Sequence, residues 1–266
     1  MSLQKIVIET AFGRFAIDET ADAKMASKLQ SVFPHQALFE LINFLGPKTI
    51  VDIGAHIGTV SVPLAKKYKV IAFEPNPASL RFLKHNAELN GVFLDARGKG
   101  LANVSGRARI LERMGNAGAN SLAPGAEVEV SILDHEVQEA DFVKIDVEGM
   151  ELKVLGGGKK LIEQSRPAIY FEVNLSALRA HNAKLRELEK FFKKHNYALY
   201  FWDKKLFKLP SLALAVFLVT PRSFLLGGPA APFDVLALPA ERAVGAGPAS
   251  PHLIMRYLKS QYARFF

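Results

Sequence analysis

Short apolar runs alternate with amphipathic segments along most of the chain. Two stretches with strand-like alternation, KIVIETA and GRFAIDE, come first, and a helical pattern through HQALFELINFL stops at Gly46 and Pro47. A strand is predicted from Thr49 to Ile53, a helix from Thr59 to Lys67, a strand in VIAFE and a helix from Pro77 to Leu89 that ends at Asn90 and Gly91. The middle differs: GRARILER and AEVEVSIL read as strands joined by MGNAGANSLAPG, long enough for a candidate lid. The rhythm resumes with a strand in DFVKIDVEG, a helix from Met150 to Glu163, a strand in AIYFEVN, a helix from Ala183 to Lys194, then YALYFWD and LALAVFLV as buried strands. Gly156, Gly157 and Gly158 weaken the Met150 to Glu163 helix by ~1 kcal/mol each relative to alanine, and mark close packing or a break. Short continuous apolar runs between helices require strands buried on both faces. The pattern therefore predicts an α/β protein with a mainly parallel sheet and helices on both sides.

The segment after Pro221 is rich in Pro, Ala and Gly up to about Ser250, and HLIMRYLKSQYARFF follows as a small terminal helix. Three regions are expected: an N-terminal β/helix extension (1–48), an α/β domain (49–220) and the Pro/Ala/Gly-rich segment with its helix (221–266).

Composition narrows the chemistry. The 266 residues are 49% hydrophobic and 23% charged, as in a folded soluble protein, and include no cysteine. That excludes disulfides, a thiolate metal site and a cysteine nucleophile. The start lacks the apolar core of a signal peptide, and LPSLALAVFLVTP falls far short of the ~20 residues that span a bilayer, so no membrane span and a cytoplasmic location are expected. Net charge is +8; from Arg179 onward 14 Lys and Arg face 5 Asp and Glu, so the excess belongs to the C-terminal third. A solvated basic face, or attraction to an anionic partner, fits that distribution.

The stretch IVDIGAHIGTVS carries the candidate chemistry. A strand that runs into a glycine turn and a helix start is where open α/β sheets bind nucleotide-like ligands. Dinucleotide sites use G-x-G-x-x-G, whose second glycine admits a pyrophosphate. Here that position is His56, which disfavours NAD and FAD. S-adenosylmethionine has an adenosine and no phosphate, and suits Gly54 and Gly58, with Asp52 ordering the turn or facing the methionine amino group. Glu74, 20 residues after Gly54 at the end of the next strand, suits the ribose hydroxyls. On this reading Gly54 serves the ligand, and Gly54→Val abolishes binding while sparing the fold.

The turn, with FEPNPASLRFLKHNAELNG, ILDHE and above all DFVKIDVEGMELKVLGGGKKLIEQSRPAIYFEVN, resembles the FkbM family of S-adenosylmethionine-dependent methyltransferases over roughly Thr49 to Asn174. The resemblance implies a Rossmann-like class I methyltransferase fold with a seven-stranded sheet, and methylation of a hydroxyl on a sugar, glycolipid or secondary metabolite. It places the methyl donor on Asp52, Gly54, Gly58 and Glu74, and Asp146 and Glu148 at the mouth of the fourth strand. Where the family commonly has two acids after the leucine of ILD, this chain has Asp134 and His135.

Acids that end strands beside the donor are the candidates for catalysis. Asp146 is assigned to acceptor or donor-amine contact and Glu172 to the base, with Glu148 and His135 in reserve. Such acids leave a divalent metal open, although none is among the expected groups. The expected partner is a small-molecule or glycan acceptor. A nucleic-acid methyltransferase is the runner-up acceptor class, disfavoured because DVEG stands where a base-flipping motif would follow the fourth strand. Two readings outside methyl transfer compete with it: a donor-binding scaffold without activity, and a nucleotide-binding oxidoreductase, which His56 disfavours.

Overall fold

The computed structural model describes residues 5–19, 22–31, 35–109, 127–202, 205–213, 215, 232–242 and 247–248. β1 (Lys5–Thr10) and β2 (Gly13–Asp18) form an antiparallel hairpin, followed by α1 (Ala23–Ser31) and α2 (Gln36–Leu45). Gly46 ends α2 in the left-handed conformation, donating its N–H to Ile42 O. Next come β3 (Thr49–Ile53), α3 (Ser61–Ala65), β4 (Lys69–Phe73), α4 (Pro77–Leu89) and β5 (Asp95–Arg97). Asn76 caps α4, accepting from Ala78 N and Ser79 N at 2.9 and 3.3 Å, and Pro77 opens its first turn.

β6 (Lys99–Ala102), β7 (Gly106–Arg109) and β8 (Glu127–Ile132) build a separate three-stranded sheet in the order β6-β8-β7. The chain returns through α5 (Leu133–Glu136) to β9 (Phe142–Ile145), α6 (Glu151–Gly157), α7 (Lys159–Ser165) and β10 (Ala168–Val173). α8 (Leu175–Ala180), α9 (Leu185–Lys194), β11 (Tyr197–Trp202), β12 (Leu206–Lys208), β13 (Phe233–Pro239) and β14 (Gly247–Pro248) follow.

The central sheet has the order β14-β12-β11-β13-β10-β9-β3-β4-β5. Its parallel core runs from β5 to β10, and β13 inserts antiparallel between β10 and β11. The expected seven strands are present, and the short β12 and β14 extend the sheet to nine. Chain order reverses between β3 and β9, and at such a switch point open α/β sheets bind their ligands in the crevice beyond the carboxyl ends of the strands.

Two cores flank the sheet. Ile50, Val70 and Ala72 pack with residues of the hairpin and of α1 to α4, including Phe15, Leu29, Leu41, Val62 and Leu83. On the other face Val51, Ile53, Val143 and Ile145 pack with Val154, Leu161, Leu178, Leu188 and Phe192 from α6 to α9. Strand alternation thus assigns each side chain of β3, β4, β9 and β10 to one face or the other.

Several elements depart from the sequence pattern. The helix expected from Met150 to Glu163 breaks at Gly158, because Gly157 lies so close to β6 that a Cβ would stand 2.1 Å from Ala102 O. Asp134 then stabilises the start of α7, accepting from Lys160 N and Leu161 N at 3.0 and 2.8 Å. α8 is an addition to the expected elements; Asn174 caps it, accepting from Ala177 N at 3.1 Å. LALAVFLV reads as a strand in sequence, yet Leu212, Ala213 and Ala215 are helical, with Ala215 N bonded to Ser211 O at 3.2 Å. The rest of that run, the lid candidate at 114–125 and the terminal helix lie outside the described residues. β13 escapes the sequence pattern because it sits in the Pro/Ala/Gly-rich segment and gains its stability from pairing with β10 and β11. Among the described residues no helix is long and apolar enough to cross a membrane.

Gly157→Ala forces a methyl into the Ala102 carbonyl and is expected to destabilise the chain by ~2 kcal/mol or more. Gly156→Ala, whose Cβ would stand 3.4 Å from Asn103 Cβ, relieves a helical glycine and is expected to stabilise by up to ~1 kcal/mol. Opposite shifts of the two variants in a urea melt check the assignment.

Candidate active site

The first turn is held from three sides. Gly54 N and Ala55 N both donate to Phe73 O, at 3.0 and 3.1 Å, tying the turn to the end of β4. His56 follows with φ 52°, in the left-handed region, and its N–H donates to Glu74 Oε2 at 2.7 Å. Its Nε2 stands 3.0 Å from Asp22 Oδ2 in the N-terminal extension, an ion pair when the imidazole is protonated.

Both glycines of the turn have structural reasons. Gly54 has φ 83°, and a Cβ there would fall 1.9 Å from Asp146 O. Gly58 has φ 90°, and a Cβ would meet Leu83 and Val62 at 2.6 and 2.9 Å. The expectation that Gly54→Val spares the fold is therefore corrected: the side chain would collide with the backbone of the neighbouring strand end. The close approach runs from turn to turn, between Gly54 after β3 and Asp146 after β9.

Asp52 is fully buried beneath the turn. Its Oδ2 accepts from Ser61 Oγ at 2.6 Å, and its Oδ1 lies 3.2 Å from Lys144 Nζ. Lys144, itself buried, also stands 3.4 Å from Asp146 Oδ2 and 3.5 Å from Gly54 O. Burial works against the Lys144 charge, but the carboxylates of Asp52 and Asp146 outweigh it and hold its pKa above the ordinary lysine value. Removing one partner of such a pair leaves a buried charge uncompensated, at a cost of ~3–5 kcal/mol.

Glu74 is buried, and burial raises its pKa. Its oxygens accept one backbone N–H each, from His56 at 2.7 Å and Asn76 at 2.9 Å. A carboxylate oxygen offers two lone pairs, so each keeps capacity for a further donor.

The register of the sheet assembles the rest. Asp52 sits opposite Lys144, Lys144 opposite Tyr170, and Glu172 opposite Asp234. All lie on the face covered by the N-terminal helices, since the intervening Ile53, Ile145, Phe171, Val173, Phe233 and Val235 belong to the opposite core. Asp146 continues the row past the end of β9. Burial, then the charges of Asp146, Asp234 and Glu148, push the Glu172 carboxyl well above the ordinary range. Asp234 is pushed up to about 6 by burial, against a hydrogen bond from Tyr170. Glu151, under the DVEG turn, is raised to about 7 by burial; its Oε1 accepts from Gly149 N at 3.0 Å, and its Oε2 lacks a hydrogen-bond partner among the described residues. Glu148 adopts φ 51°, an uncommon conformation for a residue with a long side chain.

The extension reaches the same mouth. His35 Nε2 lies 3.2 Å from Thr59 Oγ1. Burial and the Lys144 charge push the His35 imidazole down to about 3, so it stays neutral. Among the described residues no three His, Asp or Glu side chains come together as metal ligands.

Of the expected site residues, Asp52, Gly54, Gly58 and Glu74 gather at the first turn, and Asp146, Glu148 and Glu172 at the adjoining strand ends. His135 is not brought to them: it is exposed on α5, which packs on the opposite face. Lys144, Asp234, Glu151 and His35 join the site without having stood out in the sequence. Only Lys144 left a legible signal, a charge inside the otherwise apolar strand FVKI.

A parallel core in this order, with β13 inserted antiparallel between β10 and β11 and carboxylates at the strand ends beside the switch point, defines a Rossmann-like class I methyltransferase fold. The chain matches the Methyltransferase FkbM domain over residues 52–199, more than half its length, and it belongs to that family. It is similar to Methyltransferase sdnD of Sordaria araneosa, with 25% identity over 49% of this chain and 70% of that protein. It is also similar to the hexuronic acid methyltransferase AglP of Haloferax volcanii, with 32% identity over 40% of this chain and 48% of that protein. The crystal structure of a methyltransferase FkbM from Methylobacillus flagellatus shares 19% identity over 57% of this chain and 47% of that one, with a TM-score of 0.37. The chain thus spans about half the length of the last two.

The raised carboxyls set a pH dependence. Each binds its proton more tightly folded than unfolded, so from the unfolded value of ~4 upward the native state holds the extra proton and stability falls as pH rises. For Asp234 the loss is complete past about 6 and for Glu151 past about 7, while Glu172 extends it further. The melting temperature is expected to decline from pH ~5 to pH ~8, and above pH ~7 to decline less in Glu172→Gln.

Proposed function

We propose that the chain transfers a methyl group from S-adenosylmethionine to a hydroxyl oxygen of a sugar, a glycolipid or a secondary metabolite. The observation that carries this reading is the placement of Glu74, Asp146 and Glu172 at the carboxyl ends of β4, β9 and β10, strands that flank the switch point of one sheet. The residues fit the donor. Glu74 is held by two backbone N–H groups and keeps lone pairs for the two ribose hydroxyls, His56 stands where a pyrophosphate-binding turn has glycine, and the exposed part of Asp146 offers a carboxylate to a cationic group. Asp52 and the two glycines support the donor by shaping the turn. The hexuronic acid specificity in the name of the Haloferax volcanii relative supports a sugar acceptor.

When bound, the donor supplies an activated methyl group on a positively charged sulfur. The chain's own residues must align the acceptor and remove one proton. Glu172 is assigned to that proton. A buried carboxylate among other acids holds a proton more strongly than an exposed one, and a cationic donor nearby favours its ionised form. Asp146 and Glu148 stand beside it to orient the donor or the acceptor.

Titration calorimetry with S-adenosylmethionine and with NAD tests the donor, and formation of S-adenosylhomocysteine on glycan or lipid extracts tests the transfer. Glu74→Gln is expected to weaken S-adenosylhomocysteine binding tenfold or more, since it weakens charge-assisted bonds worth ~1.5–3 kcal/mol each. Glu172→Gln is expected to lower turnover ~10²-fold or more at saturating donor with donor affinity kept. Full activity in both Glu172→Gln and Asp146→Asn would overturn the catalytic assignment, and activity lost to EDTA but restored by magnesium would transfer the role to a metal.

A further inference from the structure

We propose that Lys144 is a positioning residue for the amino-acid end of the methyl donor, its ammonium fixing one oxygen of Asp146 inward so that the other faces the crevice and takes the donor's ammonium. The inference rests on the donor site proposed above and assigns a residue within it.

The geometry separates Lys144 from an ordinary buried ion pair. Asp52 lies directly opposite Lys144 in the β3–β9 ladder, at 3.2 Å, and together with Ser61 this pair gives each Asp52 oxygen a partner. Lys144 nevertheless makes a second contact, 3.4 Å to Asp146 Oδ2, across the point where the chain leaves β9 for the crevice. The two carboxylates differ in exposure: the Asp52 side chain is fully buried, whereas 40% of the Asp146 side chain surface is open to solvent. One charge is thus cancelled inside the sheet, and the other is oriented but left accessible. Because Asp146 O also lies against Gly54, the same residue is fixed through its backbone to the turn that receives the donor.

Lys144 is not the base. Two carboxylates hold its pKa above the ordinary lysine value, so it stays charged at neutral pH. Its field also helps to keep His35 neutral, so that imidazole does not compete as a cation for Asp146. A fixed ammonium on one side of a carboxylate and solvent on the other leaves a place for a second cation, and the α-ammonium is the part of the donor that fits it.

Two nucleosides distinguish this role from a purely structural one. S-adenosylhomocysteine carries the amino-acid end; 5′-methylthioadenosine has the same adenosine and lacks that end. Calorimetry on the full chain is expected to show S-adenosylhomocysteine binding weakened tenfold or more in Lys144→Met, 5′-methylthioadenosine binding changed less than twofold, and partial recovery in Lys144→Arg. Should Lys144→Met fail to fold, the double variant Asp52→Asn with Lys144→Met removes the stranded buried charge and is read the same way. Asp146→Asn, at a half-exposed position, must show the same selective loss. Equal loss of both nucleosides, or unchanged S-adenosylhomocysteine affinity in Asp146→Asn, overturns the proposal. A wild-type chain that binds neither nucleoside instead overturns the donor site itself.

Discussion

Asp52 has no exposed surface, and a carboxylate so placed is tolerated only when paired and hydrogen-bonded. Lys144 supplies the pair and Ser61 the hydrogen bond, and each partner belongs to a different element: β3, β9 and α3. That one interaction joins the two strands between which the chain order reverses. It fixes the start of α3 beneath the turn, and through Asp146 it reaches the mouth of the crevice. The turn, the strand ends and the first helix depend on one another because they share these charges.

The close approach of Gly54 to Asp146 is the steric counterpart of that electrostatic link. With a carbonyl 1.9 Å from where a Cβ would be, the two strand ends meet backbone to backbone. Glu74 then secures the far side of the turn by taking the N–H groups of His56 and Asn76. A glycine that looks reserved for a ligand is needed first to let the protein close on itself, and the ligand surface is a consequence of that closure.

The acids beyond the turn follow from strand alternation. Apolar neighbours on β9, β10 and β13 commit one face to the core of α6 to α9, which sends Lys144, Glu172 and Asp234 to the face roofed by the N-terminal helices. Burying several carboxyls together raises their pKa values, so the region holds protons that isolated surface acids would release. The extension adds His35 and the Asp22–His56 contact, so residues that precede the parallel sheet help to build its crevice.

The α/β alternation, the first turn, Glu74 after β4, and the acids at the ends of β9 and β10 were legible in the sequence because each depends on local pattern: a short apolar run, a glycine or an acid, then a helix start. The extent of α4 was equally clear, since Asn76 and Pro77 mark its start chemically. What the linear pattern does not encode is which distant backbones touch. The break at Gly158 comes from packing of α6 on β6, β13 exists through its partners β10 and β11, and Asp234 meets Glu172 only through that pairing. Lys144 was visible as a charge within an apolar strand, but Asp52, 92 residues earlier, becomes its partner only when β3 and β9 pair. Local sequence determined the elements and most of the ionisable groups at the strand ends; the tertiary structure decided which of those groups are buried, paired and charged, because burial and strand register are properties of contacts between segments far apart in the chain.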